Sequence, residues 1–140
     1  MKNARQELLF INGEEIESSS GQWIDVENPS RKQTIAGRVP RANEEDVDLA
    51  VKTAHHAFDN WRKVPSRQRG EILMKIASEA EQVQDDIAYT ISSENGNALR
   101  TQSKPEVKVA IDALRYFGGL GGEMKGTTYP GPNNMFIYTR

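Results

Sequence analysis

The middle of the chain, residues 43–117, places apolar residues at the spacing of amphipathic α-helices, in three successive stretches. Such helices are stable only when their apolar stripes are buried against another element. The three helices must therefore pack on one another or on a sheet. The sequence leaves both arrangements open, and the second needs more strand than this chain supplies.

The first stretch has a clear beginning and end. Asn43 is a favourable N-cap, and the acidic residues 44–46 follow it in the first turn, where the helix dipole favours negative charge. Pro65 ends the region. The apolar stripe consists of Val47, Val51, Ala54, Phe58 and Trp61.

The other two stretches follow the same logic. The second runs from Ser66 to a stop at Gly96, with a break expected near residues 84–86. The third begins at Ser103, where Ser103 and Glu106 fit a capping box and Pro105 lies in the first turn. Its predicted buried face consists of Val107, Ala110, Ile111, Leu114 and Phe117.

The two ends of the chain carry strand and turn patterns. Asn12-Gly13 between extended segments predicts a type I′ hairpin, and further short strands are predicted at 23–26 and 34–38. Glycine and proline between 118 and 132 predict no regular element, and 135–139 reads as a final strand. The predicted fold class is therefore α/β, with an N-terminal hairpin and short strands followed by three amphipathic helices.

Composition excludes several classes of protein. The 140 residues contain 18 Lys+Arg against 20 Asp+Glu, a net charge of -2, which favours neither nucleic acid nor an anionic membrane as a partner. No signal peptide and no run of about 20 apolar residues is present, so we expect a soluble cytoplasmic protein. The chain has no cysteine, so these residues supply no thiolate nucleophile and no disulfide.

Local clusters of chemically active side chains have structural explanations. His55 and His56 are adjacent, so on a helix they point about 100° apart and do not clamp one metal ion. The glycines at 118–122 follow a helix, whereas a phosphate-binding loop precedes one. The acidic residues 44–46 and Asp85-Asp86 lie where helices are predicted to begin, so their interaction with the helix dipole explains them without catalysis. The residues by themselves therefore identify no active site.

An ordered series of short motifs goes further. In order and spacing it resembles the N-terminal portion of the aldehyde dehydrogenase superfamily, from about Leu9 to the last residue. The motifs are Phe10-Ile11-Asn12-Gly13, Asn28-Pro29-Ser30, Glu45-Asp46-Val47-Asp48, Ala50-Val51, Ala57-Phe58, Trp61, Arg69-Gly70, Glu94-Asn95-Gly96, Arg115-Tyr116-Phe117-Gly118, Gly126-Thr127 and Phe136-Ile137-Tyr138-Thr139-Arg140.

The resemblance implies an organisation in three parts. Residues 1–41 would form the N-terminal hairpin and short strands, and residues 42–118 the helical part of a discontinuous nucleotide-binding domain. Residues 119–140 would form a crossing loop and the start of an oligomerisation strand. In the family these helices flank a Rossmann-like domain.

The resemblance also implies an activity that this chain does not perform alone. Family members oxidise an aldehyde to a carboxylic acid with NAD or NADP, using a cysteine thiolate, a glutamate that activates water and an asparagine that supports the oxyanion. These residues and the nucleotide-binding segment lie beyond the position that matches Arg140. We therefore expect an N-terminal portion that is inactive by itself, with no catalytic and no cofactor-binding residue of its own.

A few residue roles follow from the resemblance. The backbone of Val26 and Glu27, with the Glu94 carboxylate, would bind a monovalent cation, sodium or potassium. The substrate tunnel, which takes a small-molecule aldehyde, would be bordered by Glu106, Val109 and Ala113. The strand at 135–140 would pair between subunits of a homo-oligomer, a dimer or a tetramer.

Two other classes of function remain open on the residues alone. The chain could be an autonomous, non-catalytic interaction module whose apolar helix faces bind a partner. It could also be a small metal-binding or phosphate-binding protein, for which the local motifs offer little support.

Overall fold

The computed structural model describes residues 5–123 and 125–139, so the parts of the expectations that concern residues 1–4, Met124 and Arg140 lie outside the described residues. The described chain is a mixed α/β structure, as predicted. Its elements are β1 (Arg5–Gln6), β2 (Leu9–Ile11), β3 (Glu14–Ile16), β4 (Trp23–Glu27), β5 (Ile35–Pro40), α1 (Glu44–Trp61), α2 (Ser66–Gln82), α3 (Gln84–Asn95), α4 (Lys104–Leu120), β6 (Thr128–Pro130) and β7 (Phe136–Tyr138).

The strands form three small sheets. β5 lies between β1, which is parallel to it, and β4, which is antiparallel, and the β4–β5 ladder has an irregularity between Val26 and Glu27. β2 pairs with β3, and β6 pairs with β7. Within the described residues β4 is therefore an edge strand, with carbonyl groups along its outer side that have no strand partner.

The Asn12-Gly13 hairpin is confirmed. Ile11 pairs with Glu14, and Asn12 and Gly13 between them have φ angles of 58° and 81°. A type I′ turn requires positive φ at both central residues, which Asn and Gly adopt most readily. The dipeptide thus fixes the turn and the register of the two strands.

Four α-helices form where three were predicted. The second predicted helix divides at Val83, whose φ of -113° and ψ of 15° interrupt the helix between α2 and α3. The break lies one residue before the expected position. α2, α3 and α4 pack together around the buried side chains of Ala77, Ala88, Val107 and Ile111.

The predicted buried face of the last helix is only partly correct. Val107 and Ile111 are buried and Leu114 packs against them, but Ala110 is exposed and Phe117 is 60% exposed. The stripe is wider than the core it meets, because the small residues of α2 and α3 bring those helices close to one side of α4 only.

α1 stands apart from this cluster. Its contacts include a limited one with β2, and its apolar stripe remains open to solvent. Val47 is 56% exposed, Val51 is 62% exposed and Phe58 is 55% exposed. The apolar face that the sequence predicts is present, and the described residues do not cover it.

The start of α1 is held by a capping network around Asp46. Asn43 Oδ1 accepts from the Asp46 amide at 3.1 Å, and the Asn43 amide donates back to the Asp46 carboxylate at 3.0 Å. The Ser18 hydroxyl donates to the same carboxylate at 2.5 Å, and the Ser19 amide donates to it at 3.0 Å. This reciprocal capping box ties the loop after β3 to the helix.

These hydrogen-bond donors make the free energy of unfolding depend on pH in the acidic range. The Ser18 hydroxyl, with the amides of Ser19 and Asn43, lowers the pKa of Asp46 from 3.8 to about 2. Because the folded-state pKa is the lower one, the contribution is complete above the unfolded-state pKa and is lost as pH falls from 3.8 towards about 2. We expect Asp46→Asn to flatten the acid side of a stability–pH curve measured by urea unfolding. Asp48→Asn, which removes only an exposed pair with Lys52, should leave that slope unchanged.

The predicted capping box at Ser103 is wrong. One turn of π-helix, Leu99–Ser103, leads directly into α4, and Ser103 is itself helical with φ -63° and ψ -41°. Its amide donates to Ala98 O at 3.2 Å, so the chain upstream already satisfies the start of the helix. The Ser103 hydroxyl is fully buried and has no hydrogen-bond partner among the described residues.

The expectation of no regular element between 118 and 132 is also wrong. α4 continues through Gly118 and Gly119 to Leu120, and β6 occupies Thr128–Pro130. The glycines at the end of α4 are explained by its crossing with α2, where Gly70, Gly118 and Gly121 let the two backbones approach closely. Glycine is favoured there because any side chain would meet the opposite helix.

Candidate functional site

A cleft of about 220 Å³ lies between the three-stranded sheet and α3. It contains two of the three residues predicted to bind a cation, Val26 and Glu94. Glu27, the third, follows Val26 at the irregularity of β4 but is not among the residues that line the cleft. The structure therefore brings β4 and the end of α3 together and leaves the Glu27 side chain outside.

The docking of α3 on the turn after β4 positions Glu94. Gly96 ends the helix with φ 77°, and a Cβ at this position would lie 3.0 Å from atoms of both Pro29 and Ser30. The Ser30 hydroxyl also donates to Gly96 O at 3.3 Å. A left-handed residue without a side chain thus allows the C-terminus of α3 to meet the Asn28–Ser30 turn beside the cleft.

The C-terminal end of α3 supplies negative charge on one side of a cleft that arginines also line. The C-terminal end of a helix carries partial negative charge from its unpaired carbonyl groups, and Glu94 adds a carboxylate in the last turn of α3. β4, as an edge strand, has carbonyl groups without a strand partner along its outer side. Carbonyl and carboxylate oxygens are the ligands that hard cations prefer.

Other side chains in the cleft were not identified from the sequence. Arg5, Arg31 and Arg38 line it, together with Asp86 and Tyr89. Arg38 also pairs with Asp25 on β4, and Arg5 pairs with Glu7 at 3.6 Å. No local motif signals these residues, because β1 reaches the cleft only through its parallel pairing with β5.

The three predicted tunnel residues share one side of α4. Glu106, Val109 and Ala113 are spaced three and four residues apart, on the side turned away from the buried Val107 and Ile111. Val109 is 67% exposed and Ala113 is half-buried. Glu106 accepts a long hydrogen bond of 3.4 Å from Asn97 Nδ2. None of the three residues lines the cleft between the sheet and α3.

The described residues contain neither a cluster of metal-binding side chains nor a membrane-spanning helix. Among residues 5–123 and 125–139, no group of three or more His, Cys, Asp and Glu side chains is placed to hold a metal ion. No helix in this part of the chain is long and apolar enough to cross a membrane.

Comparison with known proteins decides the family. The sequence pattern of the aldehyde dehydrogenase family matches residues 16–140. The chain belongs to the aldehyde dehydrogenase family. The resemblance drawn from the motif series is thereby confirmed.

Curated relatives show how much of the family's length this chain represents. Alpha-ketoglutaric semialdehyde dehydrogenase of Bacillus subtilis is 39% identical over 123 residues, which are 88% of this chain and 25% of the relative. Aldehyde dehydrogenase [NAD(P)+] 1 of Saccharomyces cerevisiae is 38% identical over 133 residues, 94% of this chain and 26% of the relative. The chain spans about a quarter of the length of these aldehyde dehydrogenases.

Solved structures agree with the family assignment. A crystal structure of PnpE in complex with nicotinamide adenine dinucleotide has a TM-score of 0.84 and 30% identity, covering 95% of this chain and 27% of that one. An aldehyde dehydrogenase from Bacillus cereus has a TM-score of 0.86 and 27% identity, covering 97% of this chain and 28% of that one. The chain thus adopts the fold of an N-terminal portion of the family.

Proposed function

We propose that this chain serves as the N-terminal quarter of an enzyme that oxidises an aldehyde to a carboxylic acid with NAD or NADP. The observation that carries the proposal is the family match over residues 16–140, to relatives about four times as long. The absence of cysteine indicates a non-catalytic role for this part of the enzyme, because these residues supply no thiolate for attack on the aldehyde. The catalytic residues would come from the rest of the enzyme.

The residues present do not fit a dinucleotide cofactor. Gly118 and Gly121, at the end of α4, are occupied by the helix crossing, since Cβ atoms at these positions would meet α2. Gly119 and Gly122 are open, but none of the four glycines precedes a helix as a dinucleotide fingerprint does. We assign the nicotinamide cofactor to other parts of the enzyme and derive no step through it from this chain.

The role of this chain in the proposed enzyme is architectural. Residues 1–41, 42–118 and 119–140 would contribute the N-terminal strands, the helices beside the nucleotide-binding domain and the crossing segment. The exposed apolar face of α1 supports this role, because an amphipathic helix of 18 residues is stable when another layer of structure covers that face. Exposed Tyr129, Phe136 and Ile137 on the β6–β7 hairpin support pairing of the segment at 135–140 with a second subunit, in a dimer or tetramer.

We propose that the α3 end of the cleft binds a sodium or potassium ion through the Glu94 carboxylate and the carbonyls of Val26 and Glu27. The edge position of β4 and the helix C-terminus support this assignment. Glu106, Val109 and Ala113, on the outer side of α4, would border the path of the aldehyde.

Replacing the Glu94 carboxylate tests the cation site. We expect potassium or sodium chloride at ten times the Kd to stabilise the chain by about 1.4 kcal/mol relative to equimolar choline chloride, and so to raise its melting temperature. Glu94→Gln should abolish this difference in differential scanning fluorimetry. Asp86→Asn, a carboxylate change in the same cleft, should preserve it. Equal responses of the two variants would refute the assignment.

The architectural role is tested by assaying the purified 140-residue chain with NAD or NADP and a short aldehyde. We expect no NAD(P)H formation above the rate of the cofactor and aldehyde without protein, because the chain has no cysteine to supply the attacking thiolate. Sustained aldehyde-dependent turnover would show that the chain is catalytic in its own right.

A further inference from the structure

The chain contains two Asn-Gly dipeptides, and the structure places them in opposite environments. Asn12-Gly13 forms the exposed tip of the β2–β3 hairpin, and Asn95-Gly96 forms the docked end of α3. Asn-Gly is the pair most prone to deamidation, because glycine presents no side chain to obstruct attack by its own backbone nitrogen. We propose that Asn12 is a site of spontaneous deamidation in this protein and that Asn95 is protected.

The chemistry needs only water. The deprotonated backbone nitrogen of Gly13 attacks Cγ of Asn12, a C–N bond forms, and the bond from Cγ to Nδ2 breaks with release of ammonia. The resulting five-membered succinimide then takes up one water at either carbonyl. The products are aspartate or isoaspartate at position 12, and isoaspartate places an extra methylene in the main chain.

Asn12 meets the geometric requirements. Asn12 and Gly13 are exposed, and a Cβ placed on Gly13 would find no atom within 4 Å. In a two-residue turn the ladder bonds belong to the flanking pair, here Ile11 and Glu14, so the Gly13 amide has no ladder partner. The reaction requires Asn12 to leave its left-handed conformation. A hairpin of three pairs opens readily, since isolated two-stranded hairpins are marginally stable.

Asn95 fails the same requirements. The Gly96 amide, which would be the nucleophile, donates to Ser92 O at 3.1 Å. The Asn95 side-chain oxygen accepts from the Asn97 amide at 2.9 Å, which fixes the side-chain conformation. Pro29 and Ser30 press against Gly96 as well. Attack at Asn95 therefore requires the end of α3 to unwind and to leave the Asn28–Ser30 turn.

Deamidation at position 12 would change a defined piece of the fold. It adds a negative charge beside Glu14 and Glu15. In the isoaspartate product the longer main chain no longer fits a type I′ turn, so the Ile11–Glu14 register is lost. Because β2 is the part of the hairpin that contacts α1, the change would loosen the hairpin from that helix.

The test is incubation of the full chain in warm, mildly alkaline buffer, followed by tryptic digestion and mass spectrometry. Each event appears as a gain of about one dalton, assigned to a position by fragment ions. In native buffer we expect Asn12 to react about tenfold faster than Asn95, whose attack must break two hydrogen bonds. In concentrated urea the two rates should become equal, because both are then Asn-Gly in an unfolded chain.

Two variants serve as matched controls. Asn12→Gln should abolish the fast event, because a six-membered ring forms more slowly, and Asn95→Gln should leave it unchanged. Equal rates at Asn12 and Asn95 in native buffer would overturn the proposal. So would a lack of reaction at both sites in native buffer during the time in which the urea sample reacts.

Discussion

Gly70→Ala should lower the free energy of unfolding by about 3 kcal/mol, at the upper end of the range for overpacked sites. The added methyl group would overlap the Gly118 carbonyl oxygen and would lie 3.3 Å from Gly121 Cα. All of these are backbone atoms, which cannot rotate away as a flexible side chain can. Relief requires α2 and α4 to separate along the crossing that carries most of the helix packing.

The measurement is thermal and urea unfolding of Gly70→Ala beside Gly119→Ala. Gly119 lies in the same helix as Gly118, and a Cβ there would find no atom within 4 Å. We expect Gly119→Ala to stabilise the chain by up to about 1 kcal/mol, because alanine has the higher helix propensity. The melting temperature of Gly70→Ala should fall by roughly 10 °C. Equal effects of the two substitutions would show that the close crossing is not a feature of the folded chain.

Local chemistry in the sequence predicted the parts of the fold that depend on neighbouring residues. Asn12-Gly13 determined its turn, and Asn43 with Asp46 determined the start of α1. The two failures have different causes. Gly118 stays helical because Gly70 on another helix makes room for it, and Ser103 is no cap because a π-helical turn precedes it. Only the first of these relations joins residues that are far apart in the sequence.

The candidate site was predictable only through the family resemblance. Val26 and Glu94 are far apart in the sequence and carry no ligand motif, yet both line the cleft between the sheet and α3. The arginines that share the cleft come from β1, β5 and the turn before β5, so only the tertiary structure reveals them. The small core of α2, α3 and α4 explains why the residues alone indicated helices without an active site.

The largest functional effect is expected when this chain is joined to the remaining part of a full-length family member. Alone it has no cysteine thiolate, and the apolar stripe of α1 lies open to solvent. Replacing the matching N-terminal portion of the Bacillus subtilis relative with this chain would supply both missing parts, the catalytic residues and the covering layer. At 39% identity over 123 residues the substitution keeps the fold while changing most of the side chains. Introducing Gly70→Ala into the same chimera should reduce its soluble yield and its activity together, because the helix crossing would be disturbed.

The decisive measurement is aldehyde-dependent NAD(P)H formation by this chimera, with α-ketoglutaric semialdehyde as the substrate and the parental enzyme assayed alongside. The proposed role predicts a soluble chimera with a kcat/KM within about a hundredfold of the parent, a loss of less than about 2.7 kcal/mol in transition-state stabilisation. An insoluble chimera, or a folded one with no turnover beside an active parent, would contradict the claim that this chain serves as the N-terminal quarter of an aldehyde dehydrogenase.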